Sequence, residues 1–535
     1  MAPQIIRLPD GQDFHVTPVF SGLFFKSNQR TTHPNAFPIG WTVVLNTQDE
    51  EHIRTDDKHC RDEQSGGGVD ECGTGACNDA GGELSQENHR LRIHSYTKPT
   101  LKNDNLFISS VSIPSSSEYK TPASPTRQIA MMLWITLYWY FHQQEPPSHL
   151  TTEASKNTPD EAKPRGEWRI NIKKDGVFRG RNLIPKLERM GLIASLDSSP
   201  DNDWESMFVS KKMFWQIPGR LFLFSLEPNT LVGSVPGSPI HSRPGSPQSQ
   251  PLSPSLLPHQ QLQALGQPQD SYSNQVAAST PTTTAASSSA LHTGPFHSTS
   301  HLPTYYPPAP LSYTTTNNIR HPRRPKPLQA GEVFYTRFIP STGQYLSFRV
   351  ASTSPDPIPY GGPVGHSPPV HPHLHSLSDT ALLQSWFSQP RVSKFWGDFK
   401  EEFLPTAAKS RHSFPVIGLW DGVPFGYFEI YWVKEDILGE KMGGEAGDWD
   451  RGLHVLIGEE WARGRVPTWL SSLVHWSLVA DYRTMNVYLE PRVDNDRFLK
   501  HLQKEGFSRE RQIAFPHKQS WLIRMRRESW EGPAL

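Results

Sequence analysis

The sequence predicts two α+β units separated by a long segment without regular structure. Short runs rich in β-branched and aromatic residues alternate with helical patterns on both sides of a Ser/Pro-rich stretch. With 535 residues the chain is long for one domain, and apolar residues make up only 35% of it. We therefore predict an N-terminal α+β domain over 1–227, a disordered linker over 228–330 and a second folded domain over 331–535.

In the N-terminal unit, strand-like runs begin at Trp41 and Asn105, and the spacing predicts helices over Thr126–His142 and Arg181–Met190. Gly191 follows the second helix as a helix-ending residue. A Gly, Asp and Glu-rich stretch over 49–87 interrupts these elements and is predicted to be a disordered insertion.

The only cysteines are Cys60, Cys72 and Cys77, and they lie inside this insertion together with His59. Four such ligands are enough for a zinc site, but their spacing departs from the close ligand pairs that zinc sites use. We therefore predict no metal site. Three clustered cysteines also do not suit a disulfide-stabilised secreted fold, which favours a reducing compartment.

The charge balance argues against partners that bind by long-range electrostatics. Lys plus Arg and Asp plus Glu each number 53, so neither nucleic acid nor an anionic membrane surface is an expected partner. The longest apolar run, Ile129 to Phe141, is too short for a membrane span of about 20 residues. We expect a cytoplasmic protein, because neither a signal peptide nor a C-terminal peroxisomal signal is apparent.

In the C-terminal unit the order of elements is informative. Two strands around Asp421-Gly-Val-Pro form a predicted hairpin, and a strand from Leu453 leads through a Gly and Arg-containing loop into a helix over Val466–Ala480. A further strand, a helix and a strand pair complete the unit. A strand, a short glycine-containing loop and a helix N-terminus together favour binding of a pyrophosphate. Without further context, an ordinary structural connection is the better explanation of the loop.

Four motifs supply that context: Val416 to Asp436, Trp386 to Trp396, Leu453-His-Val-Leu-Ile-Gly and Leu489-Glu-Pro-Arg-Val-Asp-Asn. Together with the element order they resemble the GNAT acyltransferase fold, and within it the siderophore acyltransferases related to the aerobactin and mycobactin lysine acylases. The fungal N5-hydroxyornithine acyltransferases are the most similar. The resemblance covers about 330–535. The N-terminal unit is less distinctly similar, and a degenerate copy of the GNAT fold is one interpretation of it.

The resemblance implies transfer of an acyl group from acyl-CoA, most simply acetyl-CoA, to the hydroxylamine nitrogen of N5-hydroxyornithine. His454 matches the strand histidine of the family and is the predicted catalytic base. Related bacterial enzymes have an aspartate directly after Glu-Pro, whereas this chain has Arg492 there and Asp494 two residues later. Asp494 is accordingly a second catalytic candidate, with a helix N-cap as the alternative.

The remaining predicted site residues fall into two groups. The acyl-CoA group comprises the end of the strand, the following loop and the start of the last helix: Leu456, Ile457, Gly458, Arg463, Gly464, Arg465 and Asn495. The amino-acid group combines ions for a zwitterion with apolar walls: Trp386, Arg391, Trp396, Glu429, Trp432 and Asp436. Three alternatives stay open: an anhydromevalonyl donor, a GNAT enzyme that acts on a protein or polyamine amine, and a non-catalytic scaffold.

Overall fold

The computed structural model describes residues 2–20, 22–28, 40–50, 91–112, 125–150, 152–180, 182–195, 207–223, 312–316, 318–368 and 370–535. The predicted insertion lies outside these residues except for positions 49 and 50, which end a strand. The three cysteines and His59 also lie outside them. In the described part of the chain, no helix is long and apolar enough to cross a bilayer.

The N-terminal part is built on one mixed sheet with the order β1-β2-β3-β4-β6-β7-β9-β8, to which β5 adds by pairing with β4. Only β6 and β7 are parallel. The strands are β1 (Gln4–Arg7), β2 (Asp13–Val19), β3 (Gly22–Ser27), β4 (Gly40–Glu50), β5 (Leu91–Ser95), β6 (Asp104–Ser112), β7 (Arg169–Ile172), β8 (Ala194–Ser195) and β9 (Met207–Ser210). The helices are α1 (Pro125–Tyr140), α2 (Leu183–Arg189) and α3 (Lys211–Trp215).

The two helices predicted here are confirmed as α1 and α2. Helix α1 follows β6 and is buried along most of its length. The indole of Trp41 in β4 donates to Thr136 Oγ1 of α1 at 3.0 Å, and the Tyr140 hydroxyl donates to Asp104 in β6 at 2.6 Å. These two bonds fix α1 against the centre of the sheet.

A hairpin of β10 (Tyr313–Thr316) and β11 (Ile319–Pro322) lies inside the range predicted as linker. Arg324, just after the hairpin, forms an ion pair with the buried carboxylate of Glu435, and His321 lies 2.8 Å from the same group. These contacts order a segment whose composition alone indicates disorder, so the linker prediction is wrong for this stretch. Residues 228–311 lie outside the described residues.

The C-terminal part is built on a second mixed sheet with the order β12-β13-β14-β15-β16-β17-β19-β18. Its strands are β12 (Val333–Ile339), β13 (Gln344–Val350), β14 (Ser413–Trp420), β15 (Val423–Trp432), β16 (Arg451–Ile457), β17 (Asn486–Leu489), β18 (Ser508–Ala514) and β19 (Gln519–Arg526). Its helices are α4 (Asp379–Phe387), α5 (Pro390–Trp396), α6 (Phe403–Lys409), α7 (Ile437–Lys441), α8 (Val466–Ala480) and α9 (Asp496–Lys504).

The predicted hairpin is confirmed as β14 and β15, joined by Asp421 and Gly422. Both residues have positive φ, 47° and 85°, as the two-residue turns that match strand twist require. The Asp421 side chain accepts from the backbone N–H groups of Tyr345 and Gly365 at 2.8 Å each. The turn thereby also fixes the neighbouring loop.

The two sheets repeat one topology. In each, antiparallel strands lead to a single parallel pair, β6 with β7 and β16 with β17, and the chain then closes with two antiparallel strands. Helix α1 follows β6 as α8 follows β16, and α2 and α9 occupy matching places. The N-terminal domain is therefore a second copy of the C-terminal fold.

The copies pack on each other through a shared apolar core. The Trp215 ring of the first meets the His475 ring of the second edge to face at 5.6 Å. Gln216 and Arg527 exchange hydrogen bonds of 3.2 Å in both directions. The interface thus combines aromatic packing with paired polar groups, and it brings α8 into contact with the N-terminal copy.

Candidate active site

The C-terminal sheet opens where its two parallel strands part. Strand β16 pairs with β17 only at Arg451 and Gly452, while its pairing with β15 continues to Ile457. Beyond the short parallel pair a cleft of about 730 Å³ lies between the diverging strands. One edge of β16 therefore faces open space for five residues.

The backbone groups on that edge follow from the alternation of the ladder. The Gly458 N–H donates to the Phe425 carbonyl at 3.0 Å, and such bonded pairs recur at every second residue. Residues 453, 455 and 457 consequently turn their N–H and C=O groups away from β15, toward the cleft. The edge is suited to an extended ligand that carries amides.

The cleft passes through the sheet from one face to the other. On one face, Trp469 of α8 packs 5.5 Å from the Phe428 ring. On the opposite face, the ring of His454 lies 4.6 Å from that of Tyr431. Both Trp469 and His454 line the cleft, so a ligand held by the strand edge contacts α8 on one side and the imidazole on the other.

His454 lies between two carboxylates. Its Nδ1 is 2.8 Å from Glu429 Oε2, and its Nε2 is 2.6 Å from Glu490 Oε1. Glu429 is its cross-strand partner in β15, and Glu490 follows the last residue of β17. The His454 side chain is 30% exposed and that of Glu490 is 4% exposed, so the imidazole is the more accessible of the two groups.

The electrostatics of this triad favour a protonated imidazole. Burial alone lowers the pKa of His454, but the charge of Glu490 and the hydrogen bonds to both carboxylates raise it well above its ordinary value. Burial likewise opposes ionisation of Glu490, yet the adjacent His454 charge brings its pKa down to about 2. The resting triad therefore holds an imidazolium and two carboxylates, with a net charge of −1.

Two tyrosines and a lysine complete the cluster. The Tyr427 hydroxyl donates to Glu429 at 2.7 Å and the Tyr431 hydroxyl to Glu490 at 2.9 Å. The ammonium of Lys518 donates to the Glu490 carbonyl at 3.0 Å. Sequence reasoning missed Tyr427, Tyr431, Lys518 and Glu490. The signal for the tyrosines was the period of two in β15, which places them on the same face as Glu429.

Many of the predicted site residues line the cleft. These are Arg391, Trp396, Glu429, His454, Leu456, Ile457, Arg463, Asp494 and Asn495. Asp494 is exposed and forms an ion pair with Arg492 at 2.6 Å. The N-cap of α9 is Asn495, whose side chain makes no capping bond. The structure therefore places Asp494 at the rim of the cleft, outside the His454 cluster, and not at the cap position.

Arg391 lies at the cleft but its guanidinium is engaged by the protein. Nη1 donates to the Ile457 carbonyl at 2.7 Å, Nη2 donates to the Gly458 carbonyl, and Nε lies 3.1 Å from Glu460. These bonds hold the end of β16 to the loop that follows. They leave Arg391 poorly placed to receive a substrate carboxylate.

The structure places three residues predicted for the amino-acid pocket elsewhere. Trp386 is fully buried and donates to Glu459 at 2.8 Å. Trp432 packs beneath the guanidinium of Arg451. Asp436 is the N-cap of α7 and accepts from the Leu438 N–H at 2.9 Å. Core packing and helix capping account for all three.

The loop before α8 divides into a part at the cleft and a part away from it. Residues Glu460–Arg465 form a 3-10 helix that continues into α8. Arg463 lines the cleft, whereas Arg465 lies over the Trp420 ring and donates to Gln344 at 2.7 Å. A Cβ at Gly458 would lie 2.1 Å from the Trp386 ring, and a Cβ at Gly464 would meet nothing within 4 Å.

Comparison with known proteins gives a family match and close relatives. Residues 375–515 match the Acetyltransferase (GNAT) domain family. Over 97% of its length the chain is 56% identical to the N5-hydroxyornithine acetylase sidL of Beauveria bassiana, covering 100% of that protein. The E. coli N(6)-hydroxylysine O-acetyltransferase is 34% identical over 40% of this chain and 61% of its own.

A second relative from Beauveria bassiana differs in the donor that its name gives. The N(5)-hydroxyornithine:cis-anhydromevalonyl coenzyme A-N(5)-transacylase SIDF is 31% identical over 41% of this chain and 48% of its own. The likeness to sidL thus extends over both copies of the fold, while the likeness to SIDF covers less than half of either chain.

Proposed function

Because the chain belongs to the family of the fungal N5-hydroxyornithine acetylases, we propose that it moves an acetyl group from acetyl-CoA to the hydroxylamine nitrogen of N5-hydroxyornithine. The product is a hydroxamate, the iron-chelating group of hydroxamate siderophores. The observation that carries the proposal is the cleft between β16 and β17, where an ionised triad meets a free strand edge. A cluster of ionised groups that faces an open cleft is more typical of a catalytic site than of a scaffold.

The strand edge and α8 supply the donor site in this proposal. The N–H and C=O groups of residues 453 and 455, and the N–H group of residue 457, are suited to the amides of the coenzyme A arm. Arg463 lies where the diphosphate would approach the start of α8. Arg391 supports the donor site indirectly, because its bonds to the Ile457 and Gly458 carbonyls hold the strand and the loop together.

The acceptor site lies on the opposite face of the sheet. The Trp396 ring stands edge-on to His454 at 6.4 Å and to Tyr427 at 6.0 Å. With Phe403 it provides an apolar wall for the aliphatic stem. At the rim, Asp494 and Lys518 offer opposite charges to the α-ammonium and α-carboxylate groups.

The triad moves the proton that the reaction releases. As the hydroxylamine nitrogen attacks the thioester carbon, it gives up a proton, and the carbon–sulfur bond then breaks to leave a thiolate that takes a proton. His454 is already protonated and both of its ring nitrogens face carboxylates, so the proton goes to a carboxylate oxygen of the triad, which we assign to Glu490. The carboxyl group of Glu490 then returns the proton to the thiolate, and the triad recovers its net charge of −1.

This differs from a free neutral imidazole, the form in which a lone histidine acts as a base. A neutral imidazole needs an unoccupied ring nitrogen, and here both nitrogens face carboxylates. We therefore propose that the triad is the base as a unit, with Glu490 as the proton acceptor and His454 as the imidazolium that holds this carboxylate in place.

Hydroxamate formation by the purified full-length protein tests the proposal directly. Acetyl-CoA, propionyl-CoA and anhydromevalonyl-CoA would each be offered with N5-hydroxyornithine, ornithine or N6-hydroxylysine, and the hydroxamate read by its colour with ferric iron. We expect colour with acetyl-CoA and N5-hydroxyornithine. A preference for anhydromevalonyl-CoA would overturn the donor, a preference for N6-hydroxylysine would overturn the acceptor, and failure to bind any acyl-CoA would favour the scaffold.

A further inference from the structure

A second cavity lies between the two copies of the fold, apart from the catalytic cleft. It has a volume of about 120 Å³ and is bordered by α1 and the segment around Pro218 on one side, and by β12 and the C-terminal half of α8 on the other. The rings of Trp134, Phe334 and Trp476 form much of its wall. For comparison, an apolar cavity of about 150 Å³ is large enough to bind benzene.

A buried arginine without a counter-ion borders this cavity. Arg337 is 1% exposed and lies in β12. Its Nη2 donates to Ser472 of α8 at 2.9 Å, but among the described residues Nε and Nη1 have no hydrogen-bond partner. In the part of the chain that the structure describes, no ion pair joins Arg337 to a carboxylate. A buried guanidinium in this condition has two nitrogens, one on each side of Nη2, that lack an acceptor, and one of them forms a fork with the second N–H of Nη2.

The other described residues around the cavity supply no carboxylate to Arg337, whose guanidinium interacts with the Tyr335 hydroxyl. Both oxygens of Asp10 are engaged by Gln12. His475 Nδ1 is shared with the Tyr335 hydroxyl at 2.8 Å, and burial together with the Arg337 charge lowers the pKa of His475 to about 3, so its ring is neutral. Among the described residues, the buried hydroxyl of Tyr138 is also without a hydrogen-bond partner. The cavity thus combines the Arg337 cation and this hydroxyl with aromatic walls, and the Asp10 carboxylate at its border is held by Gln12.

We propose that this cavity binds a small monocarboxylate, with its carboxylate on Arg337 and a short apolar body among Trp134, Phe334 and Trp476. A planar carboxylate matches the guanidinium fork with two parallel hydrogen bonds. The aromatic walls exclude an ion that is charged on all sides, such as phosphate, because three of its oxygens would face rings. The volume limits the body to a few carbon atoms.

Butyrate is the probe, with butyramide as its neutral match. Binding to the full-length protein would be followed by tryptophan fluorescence and by calorimetry at constant ionic strength. Arg337→Gln removes the cation, and Val479→Phe places a ring at the border of the cavity on α8. Arg463→Gln is the control, because it removes a cation from the catalytic cleft and leaves this cavity unchanged.

We expect butyrate to bind at least about tenfold more tightly than butyramide, with binding weakened about tenfold or more by Arg337→Gln and by Val479→Phe but not by Arg463→Gln. If Arg337→Gln fails to fold by circular dichroism, Val479→Phe decides the outcome. Equal binding of butyrate and butyramide, loss with Arg463→Gln, or a crystal soaked in butyrate that shows only water at Arg337 would overturn the proposal.

Discussion

His454 Nε2 and Glu490 Oε1 lie 2.6 Å apart, and this pair bridges the two strands whose separation opens the cleft. His454 belongs to β16, and Glu490 directly follows β17. The parallel ladder between these strands holds them together at only two positions. One contact therefore has two effects: it ionises the imidazole and it ties the walls of the cleft together.

Replacing Glu490 by Gln tests the effect of this carboxylate on the ionisation of His454. Loss of the carboxylate should bring the pKa of His454 down toward its ordinary value, since the Glu490 charge is the largest of the influences that raise it. It also removes the proposed proton acceptor, so we expect kcat to fall roughly 10²-fold. An NMR titration of the imidazole and a hydroxamate assay measure the two effects. Glu505→Gln, outside the cleft, is the control, and an unchanged His454 pKa would contradict the assignment.

The same pair predicts how stability depends on pH. The folded pKa of Glu490, about 2, lies below its ordinary 4.5, so this stabilisation is present above pH 4.5 and is lost as pH falls toward 2. The pKa of His454 is raised, so its share is complete below pH 6.5 and is lost as pH rises through the folded value. The difference in unfolding free energy between wild type and Glu490→Gln, roughly 3 kcal/mol, should peak between these limits. Urea unfolding across pH measures it, and a flat difference would contradict the ionised pair.

Two glycines of the loop before α8 allow the effect of packing on stability to be tested separately from the effect of ligand contact on KM. Gly458→Ala should lower Tm, because its Cβ would lie 2.1 Å from the Trp386 ring. Gly464→Ala has free space around its Cβ, so Tm should stay constant. If the donor diphosphate contacts that backbone, the KM for acetyl-CoA should rise several-fold in Gly464→Ala with little change in kcat. Thermal unfolding measures Tm, and steady-state kinetics measure KM. An unaltered KM would contradict contact between the diphosphate and the backbone at Gly464.

A buried ion pair outside the cleft should contribute strongly to the free energy of unfolding. Arg349 Nη2 lies 2.6 Å from Asp379 Oδ1, with the two side chains 4% and 1% exposed. Asp379→Ala leaves the guanidinium buried and unpaired, so we expect a loss of about 3–5 kcal/mol in urea unfolding. Glu445→Ala removes the partner of Arg511 in an exposed pair and should cost less than about 1 kcal/mol. Equal losses in the two variants would contradict the distinction.

The N-terminal copy should not bind a second coenzyme A. After its parallel pair, β6 continues with Phe107 and Ile108, which pair with Val44 and Val43, so Ile108 and Val43 take the places of His454 and Glu429. The opening is also filled, because Gly176 lies so close that a Cβ there would be 2.1 Å from the Ile108 carbonyl. Calorimetry with coenzyme A should give one site per chain, and two equivalents would contradict this.

Patterns of local sequence predicted much of this fold. The β14–β15 hairpin, its Asp421-Gly422 turn and helix α8 each depend on neighbours in the sequence, and all three are confirmed. The hairpin at 313–322 was missed because its order comes from Glu435, more than one hundred residues away. A contact with a residue that distant cannot be inferred from local composition.

The site was harder to predict than the fold for the same reason. Residues at the strand edge, such as Leu456 and Ile457, follow from their place in the motif. The protonation of His454 depends on Glu490, which reaches it only when β17 is laid beside β16. Trp386 and Trp432 share the residue type of a substrate wall, but their partners in the fold, Glu459 and Arg451, make them part of the core.

The cleft reaches both faces of the sheet, beside α8 on one face and beside Trp396 on the other. A bulky nucleotide carrier and a small amino acid can thus arrive from opposite sides without crossing. Neither has to leave before the other arrives, and the spent carrier does not block the way out of the finished hydroxamate. An opening in a single sheet thus lets two ligands of very different size meet at one site.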